Sequence, residues 1–259
     1  MFRWDIVGQY LFSGLFISAA WTTLWIAVIS QVNGVIIGLF LALMRMSRHP
    51  WLTLPARFYI WIFRGSPLLV QLLLLYFGFP EVFPGLVPYI TVYTAALIAF
   101  SFNEGAYMAE IVRAGITSVD PGQMEAAKSL GMRYALAMRR IILPQAARVI
   151  VPPLGNEFNN MLKTTSLASV IGLFELTYTA SIYGAQTFSY FELLVVATFY
   201  YLILTTVWGF IQNYIERRMD PNRLTATELK AQKGWTQRMM GFGTRDAGGS
   251  LLAGTRERR

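Results

Sequence analysis

The chain has 259 residues, of which 55% are hydrophobic and only 14% charged, with a formal net charge of +8. Soluble domains run near about 25% charged, so apolar surface on this scale calls for lipid as solvent. There is no cysteine and one histidine, His49. That excludes disulfides and thiolate metal sites and leaves a poor inventory for catalysis or metal binding. The basic residues sit in blocks between apolar runs, the pattern of the positive-inside rule rather than of a nucleic-acid-binding surface.

In chain order, the N-terminus shows no basic cluster followed by a small-residue cleavage site, so no cleavable signal peptide is expected. Leu11 to Met44 is too long for one upright helix, which needs about 20 apolar residues and up to about 25 if tilted. The first span is placed at 18–44, preceded by an interfacial approach, with Trp21 and Trp25 in the aromatic belt. Arg45, Arg48 and Arg57 mark a loop, and a second span is expected over 58–79. A turn-rich connection with Pro80, Pro84, Gly85 and Pro88 leads to a third span over 89–111. A long basic loop, 113–148, precedes a fourth span over 150–178. An uncharged connection, 183–189, precedes a fifth over 190–215, closed by Arg217 and Arg218. Of the 22 lysines and arginines, all but Arg3 and Lys163 fall on one side of this arrangement. The expected architecture is therefore an all-α membrane domain, 1–218, with five spans, the N-terminus outside and the C-terminus cytoplasmic. Residues 219–259 read as a basic, disordered cytoplasmic tail.

Ionisable groups at the centre of a span cost about 2.5–3.5 kcal/mol on insertion scales, so each needs a reason. In span two, Gly65, Ser66 and Pro67 interrupt the helix, and Gln71, one turn on, is a pathway candidate or an interhelical hydrogen-bonding group. In span three, Asn103 and Glu104 lie past the middle. Lys163 and a substrate ammonium are the candidate partners of Glu104. Glu110 has Arg113 three residues on, the spacing of a structural ion pair. Span four carries Asn156, Glu157, Asn159, Asn160, Lys163 and Thr164, a polar run that must line a cavity or a subunit interface.

The basic loop holds a helix–turn–helix. Asp120 suits an N-cap, Pro121 the first helical position, and Gln123 the third position of a capping box. A helix is expected from Pro121 to Leu130, stopped by Gly131, then a second from Arg133 to Leu143, limited by Pro144. Ala126 and Ala127 are small enough for another surface to approach closely. The sequence here is Glu125-Ala126-Ala127, three residues, Gly131, nine residues, then Ile141-Ile142-Leu143-Pro144. Elsewhere come Arg64-Gly65-Ser66-Pro67, an Ala-Tyr-x-Ala-Glu-Ile-x-Arg run at Ala106 to Arg113, Leu143 to Ala146, Pro152 to Asn156, and Leu162 to Leu167.

In these motifs, over roughly Trp21 to Arg217, the chain resembles the EAA-loop membrane subunits of bacterial ABC importers, most closely the permeases for polar amino acids. The resemblance implies that Glu125, Ala126, Ala127, Gly131, Leu143 and Pro144 couple to an ATP-binding cassette subunit, which would bind ATP and Mg. It also implies a second permease subunit, identical or paralogous, an extracytoplasmic amino-acid-binding protein, and a place in the cytoplasmic membrane. This chain has no phosphate-binding Gly-x-x-x-x-Gly-Lys-Ser/Thr loop, so it is expected to be neither an ATPase nor a cofactor binder. Two departures stand out: Glu104, where the family usually has a small or hydroxyl residue, and Thr164, where it usually has Asp. The competing readings are a stand-alone channel or secondary transporter, which leaves the loop unexplained, an intramembrane enzyme, which lacks a nucleophile–base set, and a scaffold protein.

Overall fold

The computed structural model describes residues 2–219, and every regular element among them is helical. A short helix α1 (Trp4–Leu11) leads into the long α2 (Gly14–Arg45). Then come α3 (Pro50–Gly65), α4 (Leu68–Leu73), α5 (Phe79–Val82) and α6 (Val92–Thr117). A hairpin of α7 (Pro121–Ser129) and α8 (Tyr134–Ala137) precedes α9 (Leu143–Thr164), α10 (Leu176–Thr187) and α11 (Tyr190–Met219). Two helices, α2 and α11, are long and apolar enough to cross a membrane alone, and the bent pair Pro50–Gly65 and Leu68–Val82 would make a third. The tail expected over 219–259 lies outside the described residues, apart from Met219 at the end of α11.

The pair α2 and α6 forms the centre. Gly34 lies against Glu104 and Gly38 against Met108, so residue numbers rise together and the helices run parallel. Gly34-x-x-x-Gly38 is the small-residue spacing that lets helix backbones approach in lipid. A Cβ at Gly38 would meet Met108 Cβ at 2.3 Å and the Ala109 nitrogen at 2.8 Å. The α2–α6 core continues into a cluster with Ile26, Leu72, Phe100, Phe158 and Leu162, which brings α4 and α9 against the same pair.

Several sequence expectations need correction. The loop expected to hold Arg57 is helix: Pro50, with its fixed φ and missing N–H, starts α3 eight residues ahead of the expected span at Phe58. That span is not one helix either. Ser66, ahead of a proline, is forced extended at φ −114, ψ 147, and the chain turns by 103° between Pro50–Gly65 and Leu68–Val82. The connection around Pro80 to Pro88 is built of short helical turns rather than open loop. Span three is longer than expected. Thr91 and Thr94 cap α6 reciprocally, and the helix runs to Thr117, so Arg113 lies inside it rather than in the loop.

The hairpin starts as expected, with Asp120 Oδ1 accepting from Gly122 N at 2.7 Å. Gln123 closes no capping box; its side chain instead accepts from Gln145 Nε2 at 3.4 Å across the hairpin. Gly131, at φ +77, forms the turn. Its N–H donates to Lys128 O at 2.9 Å and that of Met132 to Ala127 O at 3.0 Å, the paired bonds of a Schellman ending. Pro144 does not limit the second helix. A wide π turn, Met138–Ile142, shifts the hydrogen-bond ladder so that Pro144 falls in the first turn of α9, where its absent N–H is not needed. The backbone is therefore helical from Tyr134 to Thr164. Span four then ends early. A 3-10 stretch, Thr165–Ile171, stops at Gly172 (φ +82), and α10 begins only at Leu176, so the expected connection at 183–189 is mostly helix.

Candidate functional site

A cavity of about 470 Å³ opens where α4, α6 and α9 meet. It is lined by Leu68, Asn103, Glu104, Tyr107, Glu157, Asn160, Met161, Lys163, Thr164 and Leu167. Of the pathway candidates, Asn103, Glu104, Asn160, Lys163 and Thr164 thus share one wall, together with Glu157. Gln71, Asn156 and Asn159 are not among its lining. The side chain of Asn156 accepts from Gln212 Nε2 at 3.0 Å and so faces α11. Asn159 has a buried Oδ1 without a partner.

Gln71 fills the break in the helix. Its Nε2 donates to Phe63 O at 3.0 Å, Ser66 O at 3.1 Å and Ser66 Oγ at 2.9 Å, and its Oε1 accepts from Asn103 Nδ2 at 3.1 Å. Asn103 Nδ2 also reaches Phe63 O at 2.9 Å. These two amides satisfy carbonyls that the bend frees, as non-helical backbone at membrane depth requires. Of the two roles open for Gln71, the hydrogen-bonding one is what the geometry contains, while Asn103 serves both the break and the cavity.

The pairing of Lys163 with Glu104 or Glu157 is not found: among the described residues, the Lys163 ammonium makes neither an ion pair nor a hydrogen bond. All three border a space large enough for water, which removes the need for direct contact. Glu104 is buried, only 4% exposed, and its Oε1 has no hydrogen-bond partner. Gln31 and Ser30 of α2 also carry buried oxygens without partners. Sequence reasoning passed over these two; the signal was a cluster of polar residues at 30, 31 and 33 inside a long apolar run.

Below the cavity Tyr107 stacks under Arg64, whose guanidinium carbon lies 5.2 Å from the ring centre. Arg64 then reaches Glu110 at 3.8 Å. Glu110 is paired with Arg113 as its spacing suggested, Nε and Nη2 donating to Oε2 at 3.2 and 3.1 Å. It also holds Arg45 from the end of α2. The two added arginines come from other helices, and no local spacing announces them. Another carboxylate the sequence did not single out is Glu175, fully buried at the start of α10. It accepts from the backbone N–H groups of Thr177 and Tyr178 at 2.9 and 2.7 Å and from Tyr201 OH at 2.7 Å, tying α10 to α11.

At the hairpin, Glu125, Ala126, Gly131, Leu143 and Pro144 are exposed, while Ala127 is buried against the hairpin itself. Only one of the two small residues therefore faces outward, because the helix period turns the next one in. Leu130, Tyr134, Leu136 and Leu143 add exposed apolar surface beside them. Among the described residues no group of three or more His, Cys, Asp or Glu could hold a metal ion.

A polar cavity between helices, joined to an exposed capped hairpin, is the arrangement of a transport subunit. Residues 34–221 match the family described as binding-protein-dependent transport system inner membrane component, and the chain belongs to that family. An arginine transport system permease protein of Corynebacterium glutamicum is 41% identical over 250 residues, covering 89% of this chain and 77% of the relative. A probable amino-acid permease protein of Bacillus subtilis is 42% identical over 198 residues, 76% of this chain and 88% of its own. Among solved structures, an amino acid ABC transporter crystallised with histidines is 46% identical, with a TM-score of 0.74 over 79% of this chain and 94% of that one. The MetNI methionine ABC transporter, in an inward-facing conformation, is 20% identical with a TM-score of 0.67 and shares the fold.

Proposed function

We propose that this protein is the permease subunit of an ATP-driven importer that carries polar amino acids across the cytoplasmic membrane of a bacterium by alternating access. The cavity carries the reading. It holds two carboxylates, Glu104 and Glu157, and one ammonium, Lys163, side by side without neutralising contact. A zwitterionic amino acid presents both signs and exchanges hydration for such groups. The relatives named for arginine and amino-acid transport support the substrate class.

In this reading five segments cross the membrane: α2, the bent α3–α4 pair, α6, α9 and α11, with the N-terminus outside. The basic ends of these helices support that orientation. An ATP-binding subunit, which holds ATP and Mg, docks on the exposed surface of Glu125, Ala126, Gly131, Leu143 and Pro144. A second permease subunit closes the pathway, and an extracytoplasmic binding protein delivers the amino acid. The partner does work on the permease only through its different affinity for two states of the hairpin.

The test is uptake of radiolabelled amino acids into vesicles containing this chain, with and without its ATP-binding subunit, and the ATPase rate of the complex. Uptake is expected only with the ATPase, and Glu125→Lys is expected to uncouple hydrolysis from uptake while the subunit stays in the membrane. Uptake by the chain alone would establish a stand-alone channel or carrier instead.

A further inference from the structure

We propose that the arginine cluster around Glu110 binds the headgroup of an anionic phospholipid in the cytoplasmic leaflet. Glu110 is the one carboxylate on which Arg45, Arg64 and Arg113 converge. Arg57 stands within electrostatic reach of Arg45, as do Arg64 and Arg113. Three guanidinium groups thus share one carboxylate with Arg57 beside them, and three positive charges are left over. Arg57 is exposed and makes no ion pair or hydrogen bond among the described residues. Mutual repulsion of this kind is costly to hold together without an anion, and a phosphodiester is the anion that a guanidinium fork fits best.

The setting decides between a lipid and a free ion. The cluster lies against α3, whose exposed residues include Trp51, Leu54, Phe58 and Trp61. Their spacing places them along one side of the helix. This apolar stripe adjoins Arg57 and Arg64, so a headgroup between the arginines leaves its acyl chains over tryptophan and phenylalanine. Tryptophan at such a level is the ordinary membrane-interface residue, and basic pockets between helices on the cytoplasmic side are where anionic headgroups bind. The placement of this end in the cytoplasmic leaflet rests on the orientation proposed above.

The full-length chain, purified in detergent, is titrated with phosphatidylglycerol or phosphatidylcholine and read by native mass spectrometry. Wild type is expected to retain phosphatidylglycerol selectively. Arg57→Gln should bind it about fivefold more weakly, the factor for one basic residue beside an anionic surface, and adding Arg64→Gln should cost about as much again. Arg57→Lys keeps the charge and should keep most of the binding. Arg133→Gln, the same change of charge in the hairpin, should leave it intact. Equal retention of the two lipids, unchanged binding by Arg57→Gln, equal loss in Arg133→Gln, or displacement by glycerol phosphate at lipid-equivalent concentration would each overturn the proposal. The assay needs neither ATP nor transport, so its failure leaves the transport reading standing, and a failure of transport leaves the lipid result standing.

Discussion

Replacing Gly38 by alanine tests the helix pair on which the rest of the molecule is packed. The added Cβ would lie 2.3 Å from Met108 Cβ, 2.8 Å from the Ala109 nitrogen and 2.9 Å from the Met108 carbonyl carbon. Carbon atoms in contact sit about 3.5–4.0 Å apart, so α2 and α6 would have to separate by more than about 1 Å. Two of the three atoms met are backbone, so no side-chain rotation relieves the clash. Overpacking of this kind costs about 1–3 kcal/mol, and this site belongs at the upper end. Alanine returns up to about 1 kcal/mol in helix propensity, leaving a net loss of about 1–2 kcal/mol. For a chain of this size that corresponds to a fall of roughly 2–8 °C in melting temperature. Gly209→Ala in α11 is the control, because a Cβ there meets nothing within 4 Å; it should melt at or above wild type. Thermal unfolding in detergent, followed by size-exclusion chromatography, reads both. A Gly38→Ala protein as stable as wild type, or a Gly209→Ala protein equally weakened, would refute the close-packing argument.

Glu110→Gln removes the carboxylate that Arg45, Arg64 and Arg113 share. Breaking a fully buried pair costs about 3–5 kcal/mol; Glu110 retains 20% of its side-chain exposure, so a loss of ~1–3 kcal/mol is expected in the same melting assay. Gly131→Val forces a β-branched residue to φ +77, at a cost of about 1–2 kcal/mol. The position is sterically open, so the damage should be to the hairpin's angle, read as weaker pull-down of the ATP-binding subunit with the permease still folded. Glu104→Gln replaces a buried carboxyl group that no cation touches, so the melting temperature should hold or rise while uptake selectivity among amino acids changes. Lys163→Met added to it should show no rescue of stability, because the structure contains no pair to restore. Normal uptake of every substrate by a folded Glu104→Gln protein would remove Glu104 from substrate choice.

What the sequence made legible was what acts locally. Pro67 announces the break, Asp120 and Gly131 announce the ends of a helix, and Arg113 announces its ion pair with Glu110, all within four residues. Pro144 misled because a proline stops a regular helix, and the π turn that accommodates it has no local signature. Lys163 misled for another reason: a charge in a span was assumed to need a charged partner, whereas a cavity formed by three helices supplies polar surroundings instead. Glu175 was invisible because its value lies in capping α10 after Gly172 has ended the preceding turn, and the surrounding sequence reads as apolar. Arg45 and Arg64 reach Glu110 only after α2 and α3 have packed on α6.

The unbroken backbone from Tyr134 to Thr164 has a mechanical consequence. Its lower end is the second leg of the hairpin and its upper end carries Glu157, Asn160, Lys163 and Thr164 on the cavity wall. From Leu143 to Glu157 the helix is about 20 Å long at 1.5 Å per residue, and Pro152 and Pro153 lie inside it, where each leaves out one backbone hydrogen bond. No loop separates the hairpin from the cavity wall, so in the proposed mechanism an axial displacement of the hairpin would pass along one helix, less what the π turn and the two prolines absorb. The points of give along it are the π turn, the paired prolines Pro152 and Pro153, and Gly172 beyond its end. In the proposed mechanism, motion of the hairpin would therefore be shared between the charged groups of the wall and α11, which α9 touches at Pro152, Gly155 and Asn156.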